Sequence, residues 1–248
     1  MRSRLASSFH AFVNLLFPAT CAACGAPGSP LCDRCAQEVQ PFPGPICARC
    51  GSLQPRAVAL CAACAARPGR PIALMRAVTV HGPPMRGLIH ALKYEQRPEL
   101  GAPLARYLAA GFAAPEWQAA AHAVDAVVPV PIHAERLRER GYNQSELLAR
   151  PFAAAAGLAV EPGWLARTRH TRQQVGLNAP ERQANVQDAF TAAPAVRGRT
   201  LLLVDDVCTT GATMHACAAA AFAAGAQAVY ALALARPAFL PAAHEPIA

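Results

Sequence analysis

Eight of the ten cysteines fall within residues 21–64 as four Cys-x-x-Cys pairs, and no other feature limits the fold of this chain so tightly. The stretch "CAACGAPGSPLCDRCA" (21–36) is echoed by "CARCGSLQPRAVALCAACA" (47–65), so each unit opens on Cys-x-x-Cys-Gly and closes on Leu-Cys-x-x-Cys-Ala. Four thiolates complete the tetrahedral shell of a zinc ion, and each unit supplies four. The repeat assigns Cys21, Cys24, Cys32 and Cys35 to one ion and Cys47, Cys50, Cys61 and Cys64 to a second, although spacing leaves a crossed pairing open. Glycine after the second cysteine of each opening pair suits a turn that needs positive φ. A disulfide framework would want a secretion signal, and a thioredoxin-type redox pair would want a βαβ context; neither surrounds these cysteines. Closed four-cysteine sites are structural, and a segment this poor in large apolar residues folds on its metal. Cys208 and Cys217 lack metal-site spacing and read as small buried residues.

The texture changes beyond "ARPGRP" (66–71). Short apolar runs, "AVTVH" (77–81), "VDAVVPVP" (124–131), "LAVEPGWLAR" (158–167), "TLLLVDD" (200–206) and "AVYALALAR" (228–236), alternate with helical patterns over 85–93, 100–108, 134–156 and 212–224. Strands separated by helices predict an α/β fold, a mostly parallel sheet with helices on both faces. The expected organisation is therefore a short amphipathic helix (1–18), a double zinc ribbon (19–66), an α/β domain (72–238) and a tail (239–248). The start, "MRSRLASSFHAFVNLLFPATC", has a basic head and an apolar middle, but His10 and Asn14 interrupt it and its apolar residues follow helical spacing. No apolar run approaches the ~20 residues of a membrane helix, so a cytoplasmic protein is expected.

Net charge of +8 points to an anionic partner, a phosphorylated small molecule or a nucleic acid. Among 23 basic residues Lys93 is the single lysine. The stretch "LLLVDDVCTTGATM" (201–214) carries the most specific chemistry. A buried strand runs into Asp205 and Asp206, and ligands of open α/β sheets bind beyond the carboxyl ends of such strands. Thr209, Thr210, Gly211, Ala212 and Thr213 then offer hydroxyls and backbone N–H groups at a helix N-terminus, a cradle for phosphate. Two carboxylates repel a bare phosphate, but they accept hydrogen bonds from vicinal hydroxyls and tolerate magnesium. Phosphate and diol a few ångströms apart describe a ribose 5-phosphate. No G-x-x-x-x-G-K-[ST] or G-x-G-x-x-G occurs to support a nucleotide-triphosphate or dinucleotide site.

"LLLVDDVCTTGAT" resembles the PRPP-binding motif of type I phosphoribosyltransferases, departing at Cys208, where an aliphatic residue is usual. Together with "LLFPATCAACG" (15–25), "GLIHALKYEQRPELG" (87–101), "VVPVPIHAERLRERGYNQSELLAR" (127–150) and "RTRHTRQQVGLNAPERQANVQDAF" (167–190), it is similar to the ComF family of competence-associated, phosphoribosyltransferase-like proteins. The resemblance implies that Asp205 and Asp206 bind the ribose hydroxyls and residues 209–213 the 5-phosphate. It also implies that Pro129, Val130 and Pro131 approach the pyrophosphate of Mg-PRPP with Lys93 as a nearby cation. Arg140, Asn143 and Gln144, just after that turn, take a substrate-side role. Residues 168–186 are polar and long, and in such enzymes a hood closes there, with Arg169, Arg172, Gln173, Gln174 and Arg182 as its candidates. Three readings follow: a phosphoribosyltransferase of unknown acceptor, a single-stranded DNA-binding competence factor working with other competence proteins, and a PRPP sensor without turnover. An enzyme needs both aspartates, whereas DNA affinity would rest on arginines and fall with salt.

Overall fold

The computed structural model describes residues 19–67, 69–70, 72–169 and 188–239; the expectations for the 1–18 helix, for the tail beyond Phe239 and for Arg172, Gln173, Gln174 and Arg182 lie outside them. Two short helices, α1 (Asp33–Gln37) and α2 (Ala62–Ala65), each begin just after the third cysteine of a unit. After them come β1 (Met75–Val80), α3 (Met85–Tyr94), α4 (Gly101–Phe112), α5 (Gln118–Ala123), β2 (Ala126–Pro129), α6 (Ala134–Arg140), α7 (Gln144–Ala156) and β3 (Ala159–Val160). The chain ends with β4 (Leu165–Arg167), β5 (Phe190–Ala192), β6 (Thr200–Val207), α8 (Ala212–Ala223) and β7 (Ala228–Arg236).

Five strands form one sheet in the order β1-β7-β6-β2-β3, and every pairing is parallel. This is the α/β architecture expected from alternating apolar runs and helices. The central β6 is buried from Thr200 to Asp206, as its continuous apolar run requires of a strand covered on both sides. Alternation along it divides the core. Leu202 and Val204 face a cluster built from α3, α4, α5 and α7, with Trp117 and Phe152 among its largest buried side chains. Leu201 and Leu203 face a second cluster with α8, β4 and β5.

Two local expectations are corrected. The single helix over 134–156 is broken at Gly141, whose φ of 82° ends α6, and Asn143 starts α7 by accepting from Ser145 N at 3.0 Å. The run 158–167 is two strands: β3 joins the main sheet, while β4 pairs antiparallel with β5 in a separate two-stranded ribbon. β5 and α5 are too short to give a periodic signal in sequence.

The two cysteine units lie on opposite faces of the sheet. Cys21, Leu31 and Cys35 belong to the core with Met85 and Leu88, while Cys47, Cys50, Cys61 and Cys64 belong to the core with Met75 and α8. The connection between them crosses the edge strand β1, where Phe42 N donates to Val78 O at 3.0 Å and Val80 N to Gln40 O at 2.9 Å. That pairing occupies the backbone groups an exposed edge would otherwise offer to another chain.

Candidate functional site

The carboxyl ends of β1, β2 and β6 open towards one end of the sheet, and the chemistry-bearing side chains collect there. Asp205 and Asp206 sit at the end of β6 with 8% and 2% of their surface exposed. Burying two adjacent carboxylates is costly unless each finds a partner. Lys93, in the last turn of α3, forms an ion pair with Asp206 Oδ2. Gln144 Nε2 donates to Asp206 Oδ1 at 3.4 Å, Ser145 Oγ to Asp205 Oδ1 at 2.8 Å, and the backbone N–H of Asp206 to the same oxygen at 2.9 Å.

These contacts split the pair. Burial and then the Asp206 charge push the Asp205 carboxyl up to about 7, although Lys93 and Ser145 pull the other way. Burial also opposes ionisation of Asp206, but the Lys93 ammonium beside it prevails and holds it below the usual carboxylate range. Lys93 is correspondingly raised: burial works against its charge, and the Asp206 carboxylate outweighs burial. His81, at the end of β1, is lowered by burial and then by Lys93.

The 209–213 turn follows directly. Gly211 has a φ of 79° and stands as the N-cap of α8, and Thr210 Oγ1 accepts from Ala212 N at 3.4 Å. A side chain at Gly211 would have to adopt a strained left-handed backbone, and its Cβ would come within 3.0 Å of Met75 Cε. Pro129 ends β2 in register with Val204, and Val130 N donates to Val204 O at 2.9 Å, so the Pro129–Pro131 turn lies beside the strand that carries both aspartates.

Arg140, Asn143 and Gln144, expected on the substrate side, are tied by hydrogen bonds to one another, to the Pro129–Pro131 turn and to Asp206. Asn143 Nδ2 donates to Val130 O at 3.1 Å, fixing the start of α7 to the Pro129–Pro131 turn. Arg140 and Gln144 are both buried and hydrogen-bonded to each other, so a chain of contacts runs from Arg140 through Gln144 to Asp206. Arg140 also lies over the Tyr94 ring at 5.4 Å. Arg169 is exposed at the edge of the described residues. Sequence reasoning missed Ser145, whose signal was a hydroxyl at an otherwise buried helix position. It also missed Arg167, which stacks on Phe190 at 5.4 Å and is lowered by burial and then by the Arg136 charge.

The cysteines form two tetrads in sequential pairing: in each, the four Sγ atoms lie within 4.8 Å of one another. Sulfurs about 2.3 Å from a tetrahedral zinc stand roughly 3.8 Å apart. The Cys24–Cys32 and Cys50–Cys61 sulfur separations are both 3.7 Å, so both tetrads fit a structural zinc ion. Cys61 N approaches Cys47 Sγ at 3.3 Å, the backbone donation a thiolate knuckle uses. Cys208 and Cys217 are buried, as expected of small apolar residues.

Comparison with known proteins matches residues 12–67 to a family model described as a double zinc ribbon domain. The chain is similar to the DNA utilization protein YhgH of Salmonella typhimurium, with 32% identity over 184 residues, 74% of this chain and 80% of that protein. It is also similar to competence protein F of Haemophilus influenzae, with 30% identity over 190 residues, 75% of this chain and 81% of that protein. Among solved structures it is similar to the glutamine phosphoribosylpyrophosphate amidotransferase of B. subtilis, at 20% identity and a TM-score of 0.38 over 58% of this chain and 30% of that one. It is similar as well to the hypoxanthine phosphoribosyltransferase of Trypanosoma cruzi, at 12% identity and a TM-score of 0.33 over 57% of this chain and 65% of that one. Among the described residues no helix is long and apolar enough to cross a membrane.

Proposed function

Since this chain belongs to the ComF family of competence-associated proteins, we propose that its α/β domain binds Mg-PRPP or a related ribose 5-phosphate ligand as a phosphoribosyltransferase-like protein. The observation that carries the reading is the juxtaposition of two buried carboxylates at the end of β6 with the left-handed turn that opens α8. In this reading the Thr209–Thr213 turn takes the 5-phosphate on its N–H groups, where the helix dipole favours negative charge. Asp205 and Asp206 accept from the two ribose hydroxyls. Lys93, already held beside Asp206, supplies positive charge for the pyrophosphate, and the Pro129–Pro131 turn bounds that side. Magnesium, when bound with the pyrophosphate, would neutralise its charge and orient it. Ser145 and Gln144 keep the carboxylates aimed, and Asn143 ties their helix to the pyrophosphate turn. A PRPP sensor would use the same residues without turnover.

Calorimetric titration of the zinc-loaded chain with Mg-PRPP tests this, beside the Asp205→Asn/Asp206→Asn double variant. Binding by the wild type and its loss in the variant is the expected result. No heat of binding from either protein would overturn the reading.

A second reading, single-stranded DNA as the ligand, is favoured by the net charge of +8 and by Arg136 and Arg167, which lie close enough to influence one another beside Asp205. The relatives named for DNA utilization and competence give it context. DNA binding would weaken steeply with salt and survive the aspartate double variant; ribose 5-phosphate binding would not survive it.

A further inference from the structure

The second cysteine unit touches the sheet where the phosphate turn rests. Met75 N donates to Arg49 O at 2.8 Å, Arg76 Nη2 to Ala48 O at 2.9 Å, and Arg236 Nη1 to Cys50 O at 2.7 Å. Arg49 and Cys50 are the last two residues of a Cys-x-x-Cys knuckle, so its carbonyls hold the start of β1 and the end of β7 together. The fit is close: a Cβ at Gly51 would lie 2.7 Å from Met75 O. Met75 is 1% exposed, and its Cε bounds Gly211 from below. Its sulfur also lies 3.8 Å from Cys208 Sγ, at the other end of the same turn. A cavity of about 50 Å³ beside this contact is lined by Arg49, Cys50, Cys64, Met75 and His215 among others.

A metal-bound knuckle is rigid because two bonds to the ion fix its sulfurs, and its carbonyls are fixed with them. Without the metal, the carbonyls of Arg49, Ala48 and Cys50 that accept from Met75, Arg76 and Arg236 lose their fixed positions, and the floor under Gly211 loosens. The first tetrad lies in the core on the other face of the sheet and makes no such connection among the described contacts. We propose that the second tetrad, acting through Met75 as a positioning residue, sets the conformation of the Thr209–Thr213 turn, and that metal occupancy there governs affinity at the phosphate site. The affinity half rests on the ribose 5-phosphate reading above; the conformational half does not.

Backbone hydrogen exchange over residues 208–213 of the full, zinc-loaded chain tests it without any ligand. Exchange is expected to accelerate about tenfold or more in Cys61→Ser/Cys64→Ser and in Met75→Ala, with residues 201–204 still protected. It should stay near wild type in Cys21→Ser/Cys24→Ser and in Met75→Leu, which conserves volume. Equal acceleration from both tetrad variants, or none from Met75→Ala, overturns the proposal; if the cysteine variants fail to fold, the two Met75 variants decide it. In the calorimetric arm, Met75→Ala should weaken Mg-PRPP binding and Met75→Leu restore it, and unchanged binding by Met75→Ala overturns the affinity half. Failure of the wild type to bind Mg-PRPP removes the ligand reading, and the exchange result still stands or falls by itself.

Discussion

Lys93 shows how one residue becomes intelligible only in its setting. In sequence it was the single lysine among arginines; in the fold its ammonium lies on a carboxylate that is 2% exposed. With Asp206 ionised by that partner, the second charge is the one burial expels, and Asp205 keeps its proton to about pH 7. An unfolded aspartate releases its proton near 3.8. Between those values the folded chain binds more protons than the unfolded one, so this group's contribution to stability falls as pH rises through 7. His81 and His215 slope the opposite way: burial lowers both, and His215 reaches about 4, so the unfolded chain binds more protons there. The difference between wild type and Asp205→Asn removes the histidines from the comparison. Urea unfolding at pH 6 and pH 8 should show the wild type losing stability relative to the variant, on the order of 1 kcal/mol. A difference that does not change with pH would mean that Asp205 is already ionised at pH 6.

At the scale of elements, close approaches fix where the site's helices stand. Gly111 near the end of α4 lies against β1, and a Cβ there would overlap Val78 Cγ1. Gly111→Ala should therefore cost about 1–3 kcal/mol, although alanine is the better helix former. Val78→Ala should relieve most of that cost, and a double-mutant cycle in urea measures the coupling. Additive effects would show that helix and strand shift apart freely. The break at Gly141 matters more for chemistry. The helical periodicity of 134–156 was legible, but the left-handed residue that ends α6 and the Asn143 cap that begins α7 decide that Gln144 and Ser145 reach the aspartates. A continuous helix would carry the same residues past them.

On the scale of the whole molecule, the zinc ribbon clasps the sheet by its edge strand. Its halves differ in exposure: Cys24 of the first tetrad is exposed and Cys32 partly so, while all four cysteines of the second are buried. A competing chelator should therefore strip the first ion before the second. Native mass spectrometry should catch a one-zinc species whose Cys24 is alkylated while Cys61 and Cys64 are protected. Loss of both ions together, or alkylation of Cys61 first, would contradict the burial difference. The sequence by itself determined the eight cysteine ligands, the parallel sheet and the strand-to-turn motif, because each is a local pattern: spacing marks metal ligands, apolar periodicity marks strands and helices, and a turn is written in adjacent residues; the sequential pairing of the tetrads came from the fold. Only the tertiary structure decided that the two halves of the repeat sit on opposite faces, that Lys93 and Ser145 share out the two carboxylates, and that Met75 lies beneath Gly211. Those are contacts between residues up to 136 positions apart, as for Met75 and Gly211, and they arise from burial against shared neighbours, which no local pattern records.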